Sequence, residues 1–348
     1  MTPDPSAHSG KRAPQNAPGR SEEQDAEASR SVLTIATGKP LFVQLATALA
    51  RSFRLWNGGN GVGFAIATDQ PDALATDLDW VQVIPLRSGQ YGAGFSPKLY
   101  LNELAPAEQT LFVDADCLCV RDLRPAFDAF AGRPVATIGR VVSDGEWFGD
   151  VAAVSRQFSV AGLPRFNGGA YYLERGEASD RVFKEAQALE ARYDEIGFQR
   201  LRGRSNDEVL IALAMAIHGL DPVPEDGSIM NSTLAAPAGV EVDVLEGRSL
   251  LRNPRSHADH NAWYEQQELR PALVHFLGSE VSRYPYRREE LRLAKLADGW
   301  STRGATLWAD LTFSAPWKAR EAFKDTFRSL YHRVVGVRDV RDSRSRVT

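Results

Sequence analysis

Cysteine is scarce in this sequence: two among 348 residues, Cys117 and Cys119, with one residue between them. That spacing is too tight for an ordinary strand-to-strand disulfide and differs from the C-x-x-C of zinc sites, so a disulfide scaffold and a zinc ribbon are excluded. Long apolar runs are missing. The longest, Val209 to Ile217, has nine residues, whereas crossing a bilayer takes about 20. The opening residues, Met1 to Pro5, carry no apolar h-region, so no secretory signal is expected. An excess of charge is missing too: Lys and Arg number 41, Asp and Glu 45, net −4. A polybasic nucleic-acid binder is thereby excluded, and no nucleic-acid partner is expected. Residues 1–30 hold no Val, Ile, Leu, Phe, Trp or Tyr. Such a stretch cannot bury enough apolar surface to offset its ordering entropy and is predicted to be a disordered tail. The chain as a whole is 43% hydrophobic and 25% charged, the balance of a cytoplasmic enzyme or binding protein.

From Ser31 the chain alternates. Val32 to Ala36 is a short apolar run rich in β-branched residues, as in a buried strand. Leu41 to Leu55 has apolar residues at helical spacing. Val62–Ala67, Trp80–Ile84 and Thr110–Val113 read as strands, and Pro97–Leu104 as a short helix. The second half predicts strands over 170–173 and 272–276 and helices over 177–193, 207–217 and 287–296. Strands alternating with helices predict an α/β fold with a largely parallel sheet covered on both faces. Residues 31–300 are assigned to that domain and 301–348 to a helical extension. Pro316 to Val335 is amphipathic, with Phe323, Phe327, Leu330, Tyr331 and Val334 on one face. The stretch 316–348 has nine Lys or Arg and four Asp or Glu, so +5 on a chain of net −4. A basic amphipathic helix and tail on an acidic body suit contact with an anionic membrane surface.

Leu111-Phe112-Val113-Asp114-Ala115-Asp116 is the most informative stretch. Residues two apart on a strand share a face, so both carboxylates are expected at the carboxyl end of a parallel strand. Two carboxylates held together repel unless a cation lies between them. The cation expected is Mg²⁺ or Mn²⁺ and the substrate a phosphate or diphosphate. D-x-D by itself leaves a sugar-nucleotide transferase and a dehalogenase-type phosphatase both open.

Four neighbouring segments resemble one family. Ser96-Pro97-Lys98-Leu99-Tyr100 precedes the D-x-D stretch. Phe166-Asn167-Gly168-Gly169 resembles an F-N-(A/G)-G element. Asn206-Asp207-Glu208-Val209-Leu210 partly matches a D-Q-D-x-L-N region and also suits a helix N-terminus. Val274-His275-Phe276-Leu277-Gly278 resembles H-F-x-G. In this order, from about Val32 to Gly278, they resemble GT-A-fold glycosyltransferases of the family 8 type, the group of glycogenin and the bacterial lipooligosaccharide galactosyltransferases.

The resemblance implies a Rossmann-like mixed sheet flanked by helices. It also implies transfer of a hexose from a UDP-sugar to a glycan, lipid or protein acceptor, with retention of anomeric configuration. It assigns metal binding to Asp114, Asp116 and His275, with Mn²⁺ favoured over Mg²⁺ because an imidazole joins the carboxylates. Donor contacts fall to Ala36, Thr37, Lys98, Asp114, Ala115, Asn167, Gly168, Gly169, Gly278 and Arg283. Asp207 and Asn206 take the catalytic positions. The acceptor is expected between loops within 140–165 and 225–265, and Asn231 falls where the family has an Asn. Several positions depart from the pattern. Thr37-Gly38 replaces an acidic pair, and Asn206 stands where the family has its first Asp. The family's Lys-Pro-Trp after Gly278 is missing, with Val281 in place of the Lys. Two readings of other classes stay open: a metal-dependent phosphatase or nucleotidyltransferase, and a catalytically inactive nucleotide-sugar-binding domain.

Overall fold

A computed structural model of the chain describes residues 30–335. The predicted disordered tail, apart from Arg30, and the basic tail beyond residue 335 lie outside the described residues. So do the side chains of Leu330, Tyr331 and Val334.

Four strands form the parallel part of the main sheet: β1 (Arg30–Ala36), β2 (Gly63–Thr68), β3 (Gln82–Pro85) and β4 (Gln109–Val113). They are followed by β5 (Cys117–Cys119), β6 (Val135–Ala136), β7 (Ile138–Val142), β8 (Leu163–Phe166) and β9 (Ala170–Glu174). The order in the main sheet is β3-β2-β1-β4-β9-β6, and β9 pairs antiparallel with both β4 and β6. The sheet is therefore mixed: its parallel half ends at β4. The largely parallel sheet predicted from strand–helix alternation holds only for that half, because β9 follows β8 through a tight glycine turn and not through a crossover helix.

Alternation along each strand feeds two cores. Val32, Phe64, Ile66, Leu111, Val113 and Tyr172 pack into one, and Leu33, Ala65, Ala67, Phe112, Tyr171 and Leu173 into the other. Both faces are buried, so the strands read as unbroken apolar runs. The first core is covered by α1 (Pro40–Asn57), through Leu45, Leu49 and Phe53. Further along are α2 (Val151–Phe158), α3 (Glu177–Glu190) and α4 (Asp207–Ile217). α4 carries the longest apolar run, and Val209 to Met215 are fully buried in the second core. A helix so apolar all round has to lie inside, and its N-terminus is thereby fixed beneath the end of β4.

Smaller sheets complete the site. β10 (Val223–Pro224) joins β7 and β8. β11 (Met230–Ser232) lies parallel to β15 (Leu273–His275), which runs antiparallel to β5. A meander comprises β12 (Val240–Asp243), β13 (Arg248–Arg252) and β14 (Glu268–Leu269). The chain then runs through α5 (Tyr286–Ala297), α6 (Thr302–Ala309) and α7 (Ala315–Val335). Arg288 of α5 binds Asp310, at the turn joining α6 to α7, at 2.6 Å. Glu289 is fully buried and bonded to Arg292 at 2.7 Å and to the Val244 amide at 3.0 Å.

Candidate active site

β4 ends at Val113, and Asp114-Ala115-Asp116 turns the chain into β5. The Cys117 amide closes that turn on the Asp114 carbonyl at 3.0 Å. The two carboxylates thus converge through a turn, not through strand alternation: β4 stops one residue short of the pair. Two backbone bonds fix the turn from either side. The Asp114 amide donates to the Gly169 carbonyl at 2.9 Å, and the Phe276 amide to the Asp116 carbonyl at 3.0 Å. Every segment singled out by its motif therefore meets here except the stretch around Ala36 and Thr37.

His275 lies opposite Cys117 in the β15–β5 pair. Its Nε2 stands 3.1 Å from Asp116 Oδ1 and 3.7 Å from Asp114 Oδ2. Its Nδ1 is 2.8 Å from Asn167 Oδ1, an oxygen that also accepts the Gly169 amide at 3.0 Å. An amide oxygen only accepts, so Nδ1 carries a hydrogen and Nε2 is aimed at the carboxylates. Burial alone would lower the His275 pKa, but Asp116 and Asp114 raise it above the usual imidazole value. A proton on Nε2 would offset part of the charge of the pair, and carboxylate oxygens with an imidazole nitrogen are a donor set that would suit a divalent ion such as Mn²⁺ or Mg²⁺. Asp116, Cys117 and His275 bring ligand atoms within 4.8 Å of one another. Burial first, then Asp116 and Asp114, push the Cys117 thiol well up, and a protonated thiol is a poor ligand. Cys117 and Cys119 are free, buried strand residues. Asp114 stands outside that tight group and is bonded to Lys98.

Lys98 is the hub. It lies on the short 3₁₀ turn Ser96–Tyr100, and its Nζ reaches Asp114 Oδ2 at 2.8 Å, the Gly168 carbonyl at 2.9 Å and Asp207 Oδ2 at 3.5 Å. Burial would lower its pKa, yet Asp114 and Asp207 hold it far above the ordinary lysine value. Asp114 itself is pushed up by burial, against the opposing pull of Lys98 and His275.

The glycines of Phe166-Asn167-Gly168-Gly169 are required by packing between protein groups. A Cβ on Gly169 would lie 2.4 Å from His275 Nδ1, and one on Gly168 would lie 2.8 Å from the Tyr171 hydroxyl and 2.9 Å from Glu208 Cγ. The contacts that forbid a side chain here are the site's own.

The N-terminus of α4 supplies the rest. Asn206 is its N-cap, with Oδ1 accepting the Glu208 amide at 3.1 Å. Asp207 Oδ2 accepts the Tyr171 phenol at 2.5 Å. Glu208 Oε1 accepts the Gly168 amide at 2.7 Å. Burial, reinforced by Asp207, pushes the Glu208 pKa up to about 7. Glu208 was missed in the sequence, although it belongs to the quoted Asn206-Asp207-Glu208 segment. Its signal was available: two acidic residues in the first turn of an otherwise apolar helix, where the helix dipole favours negative charge.

The raised Glu208 pKa makes stability depend on pH. A carboxyl whose folded pKa lies above its unfolded value stabilises the fold below the unfolded pKa, and that contribution is lost as pH rises through the folded pKa. Relative to Glu208→Gln, the wild-type protein is expected to lose about 2–3 kcal/mol between pH 4.5 and 7. Denaturant midpoints of the two proteins at several pH values measure it, and parallel curves would refute it.

The other expected residues are placed as follows. Ala36 is buried at the end of β1. After Thr37 the Gly38 amide donates to Asp69 at 3.0 Å, so an acidic residue reaches this turn from the end of β2. Ala115 is buried in the turn between β4 and β5. Gly278 opens the turn after β15 with a positive φ of 58°. Arg283 is bound to Glu280 at 3.0 Å and is half exposed. A different guanidinium stands against Gly278: Arg202 Nη2 lies 3.9 Å from where a Cβ of Gly278 would be. Leu201 and Arg204 exchange backbone bonds at 2.9 and 3.0 Å, and Arg202 and Gly203 between them have φ of 54° and 73°. That is the type I′ turn of a tight hairpin.

No family model and no curated protein matches the chain. Solved structures resemble it at low identity. The galactosyltransferase LgtC, in complex with donor and acceptor sugar analogs, is 13% identical over 79% of this chain and 99% of that one, with a TM-score of 0.47. The glycosyltransferase GlyE of Streptococcus pneumoniae TIGR4 is 13% identical over 57% of this chain and 45% of its own, at 0.39. Mouse xyloside xylosyltransferase 1 is 15% identical over 58% and 87%, at 0.37.

Proposed function

We propose that this chain is a glycosyltransferase that moves a hexose from a UDP-sugar to a glycan, lipid or protein acceptor, with retention. One observation carries the reading: Asp114, Asp116 and His275 face one another beside a buried lysine, with a glycine-paired amide turn and an acidic helix terminus on the far side. A phosphatase has less use for this arrangement, in which both carboxylates are tied to cations and neither is free as a nucleophile. Asp114, Asp116 and His275 would hold Mn²⁺ or Mg²⁺, and the bound ion would supply positive charge to the diphosphate as it leaves. Lys98 keeps Asp114 and Asp207 apart and adds charge on the same side. Arg202, standing over Gly278, takes the place of the missing lysine as the second diphosphate contact. Arg283 is less suited, being paired with Glu280. Asp207, held by Tyr171 and Lys98, orients the sugar, and Asn206 fixes the helix that carries it.

The test needs no acceptor. Melting with uridine diphosphate is compared with and without Mn²⁺. A ligand at about 100 times its Kd adds roughly 2.7 kcal/mol. A shift that requires both components supports the donor site, whereas no shift with any nucleoside diphosphate refutes it.

A second part of the proposal is peripheral contact with the cytoplasmic face of a membrane. Among the described residues no helix is long and apolar enough to cross one. Yet Trp300, Leu307, Trp308, Leu311, Phe323 and Phe327 are all exposed along α5 to α7, beside Arg303, Lys318 and Arg320. Apolar side chains with basic neighbours suit the interface of an anionic bilayer. The protein is expected to co-sediment with phosphatidylglycerol vesicles and not with phosphatidylcholine vesicles. Equal recovery with both would refute electrostatic docking.

A further inference from the structure

β7 and β8 place two arginines directly opposite each other, Arg140 against Arg165. Like charges at opposed positions destabilise a strand pair. Both guanidiniums lie over one indole, at 4.0 Å (Arg140) and 4.4 Å (Arg165) from the centre of the Trp263 ring. Neither is neutralised at close range. The carboxylate nearest Arg140 is that of Glu265, 3.9 Å away and itself exposed, and no ion pair to Arg165 is found among the described residues. Arg165 is half-buried, and both its burial and Arg140 oppose its charge.

The pair borders the reaction centre. Arg165 precedes the Phe166-Asn167-Gly168 turn, and the Glu208 carboxylate favours its charge. On the strand paired with that of His275, buried Asn231 donates to Glu225 at 2.8 Å and leaves its own oxygen without a partner; the Gln266 side-chain oxygen has none either. Nucleotide recognition would fall at the end of β1, in the main sheet. The arginine pair enters from the separate β7–β8 sheet, beyond the Asn167–Gly169 turn from Lys98.

We infer that Arg140 and Arg165, splayed over Trp263, bind an anionic group on the acceptor, a phosphate or a carboxylate, so that the acceptor is a charged sugar or glycan. Two forked guanidiniums drawn to one ring match the oxygens of either group bidentately, and the anion removes the repulsion between them. Trp263 holds both arginines in place. The inference rests on the transferase reading.

The test uses the full chain and three probes: a neutral hexose, a hexose phosphate and a uronic acid. Binding is read from Trp263 fluorescence, with Trp263→Phe as the spectral control. One or both anionic probes are expected to change the emission at concentrations where the neutral hexose does not; the hexose phosphate and the uronic acid distinguish phosphate from carboxylate. Arg165→Gln is expected to weaken that binding about tenfold or more, with Arg165→Lys retaining part of it. The same rank order is expected for KM when the probes are offered with a UDP-sugar. Equal affinity for neutral and anionic probes, or binding unchanged in Arg165→Gln, overturns the inference. Binding dependent on Arg165 in a protein that takes up no nucleoside diphosphate overturns the acceptor assignment through the transferase reading, and is recognised by that second result.

Discussion

Asp116→Asn is expected to lower metal-dependent sugar transfer by about two to three orders of magnitude and to leave the protein folded. The carboxylate is a quarter exposed, and its main partner is His275 at 3.1 Å. Substitution by the neutral isostere keeps the shape of the turn and removes one negative charge. The stability cost is that of one charged hydrogen bond, about 1–3 kcal/mol. The proton on His275 is held by Asp116 first and Asp114 second, so the imidazole in the variant is expected to titrate lower. Calorimetric titration with Mn²⁺ reads both effects: affinity falls, and fewer protons are released per ion bound. Undiminished Mn²⁺ affinity together with undiminished transfer would remove Asp116 from the metal site.

How much of this centre was legible in the sequence varied with the kind of signal. The buried strands were the clearest, because a strand covered on both faces is apolar at nearly every position: Val32 to Ala36 and Thr110 to Val113, each with a single threonine, show this without alignment or motif. The helix over 207–217 was equally plain, since nine apolar residues in a row leave no polar face. The short strands of the second half were not. β12, Val240-Glu-Val-Asp, alternates but is only four residues long, and β13, Arg248-Ser-Leu-Leu-Arg, puts Ser249 at a buried position that a period-two reading needs apolar. They are held by pairing with each other and by the meander they form. β7 and β8 escaped notice for a similar reason, since Arg140 and Arg165 interrupt them. The interruption that hid the strands is also what gives that sheet its charge. For the site, residue types at motif positions pointed to Asp114, Asp116, His275 and Lys98, but the manner of their meeting was not legible. The carboxylates meet at a turn pinned by Gly169 and Phe276, two long-range backbone contacts with no local trace in the sequence. Glu208, inside the Asn206–Leu210 segment, and Arg202, just upstream of it, act through contacts 40 and more residues away, with Gly168 and Gly278.

The second large effect is expected at Lys98. Lys98→Met removes the cation that touches Asp114, Asp207 and the Gly168 carbonyl together. Methionine is close in length and apolar, so packing is kept while two poorly solvated carboxylates lose their partner. Breaking a buried pair from one side costs about 3–5 kcal/mol, which for a chain of this size lowers the melting temperature by roughly 10 °C. The sign with pH follows from the Asp114 carboxyl, already raised by burial against the pull of Lys98. Without the lysine its folded pKa rises further above the unfolded value. The variant is then most stable below the unfolded pKa and loses stability as pH rises through the folded one. The gap between wild type and variant is therefore expected to widen from about pH 4 towards neutrality. A divalent ion offers a separate check. If Asp114 lies at the metal site, Mn²⁺ supplies part of the charge that Lys98 gave, and it is expected to raise the melting temperature of Lys98→Met more than that of the wild type. That extra gain disappears when Asp116→Asn is added. A variant that melts like the wild type across this pH range would mean that Asp114 and Asp207 tolerate each other without a cation, and would remove Lys98 from the centre of the site.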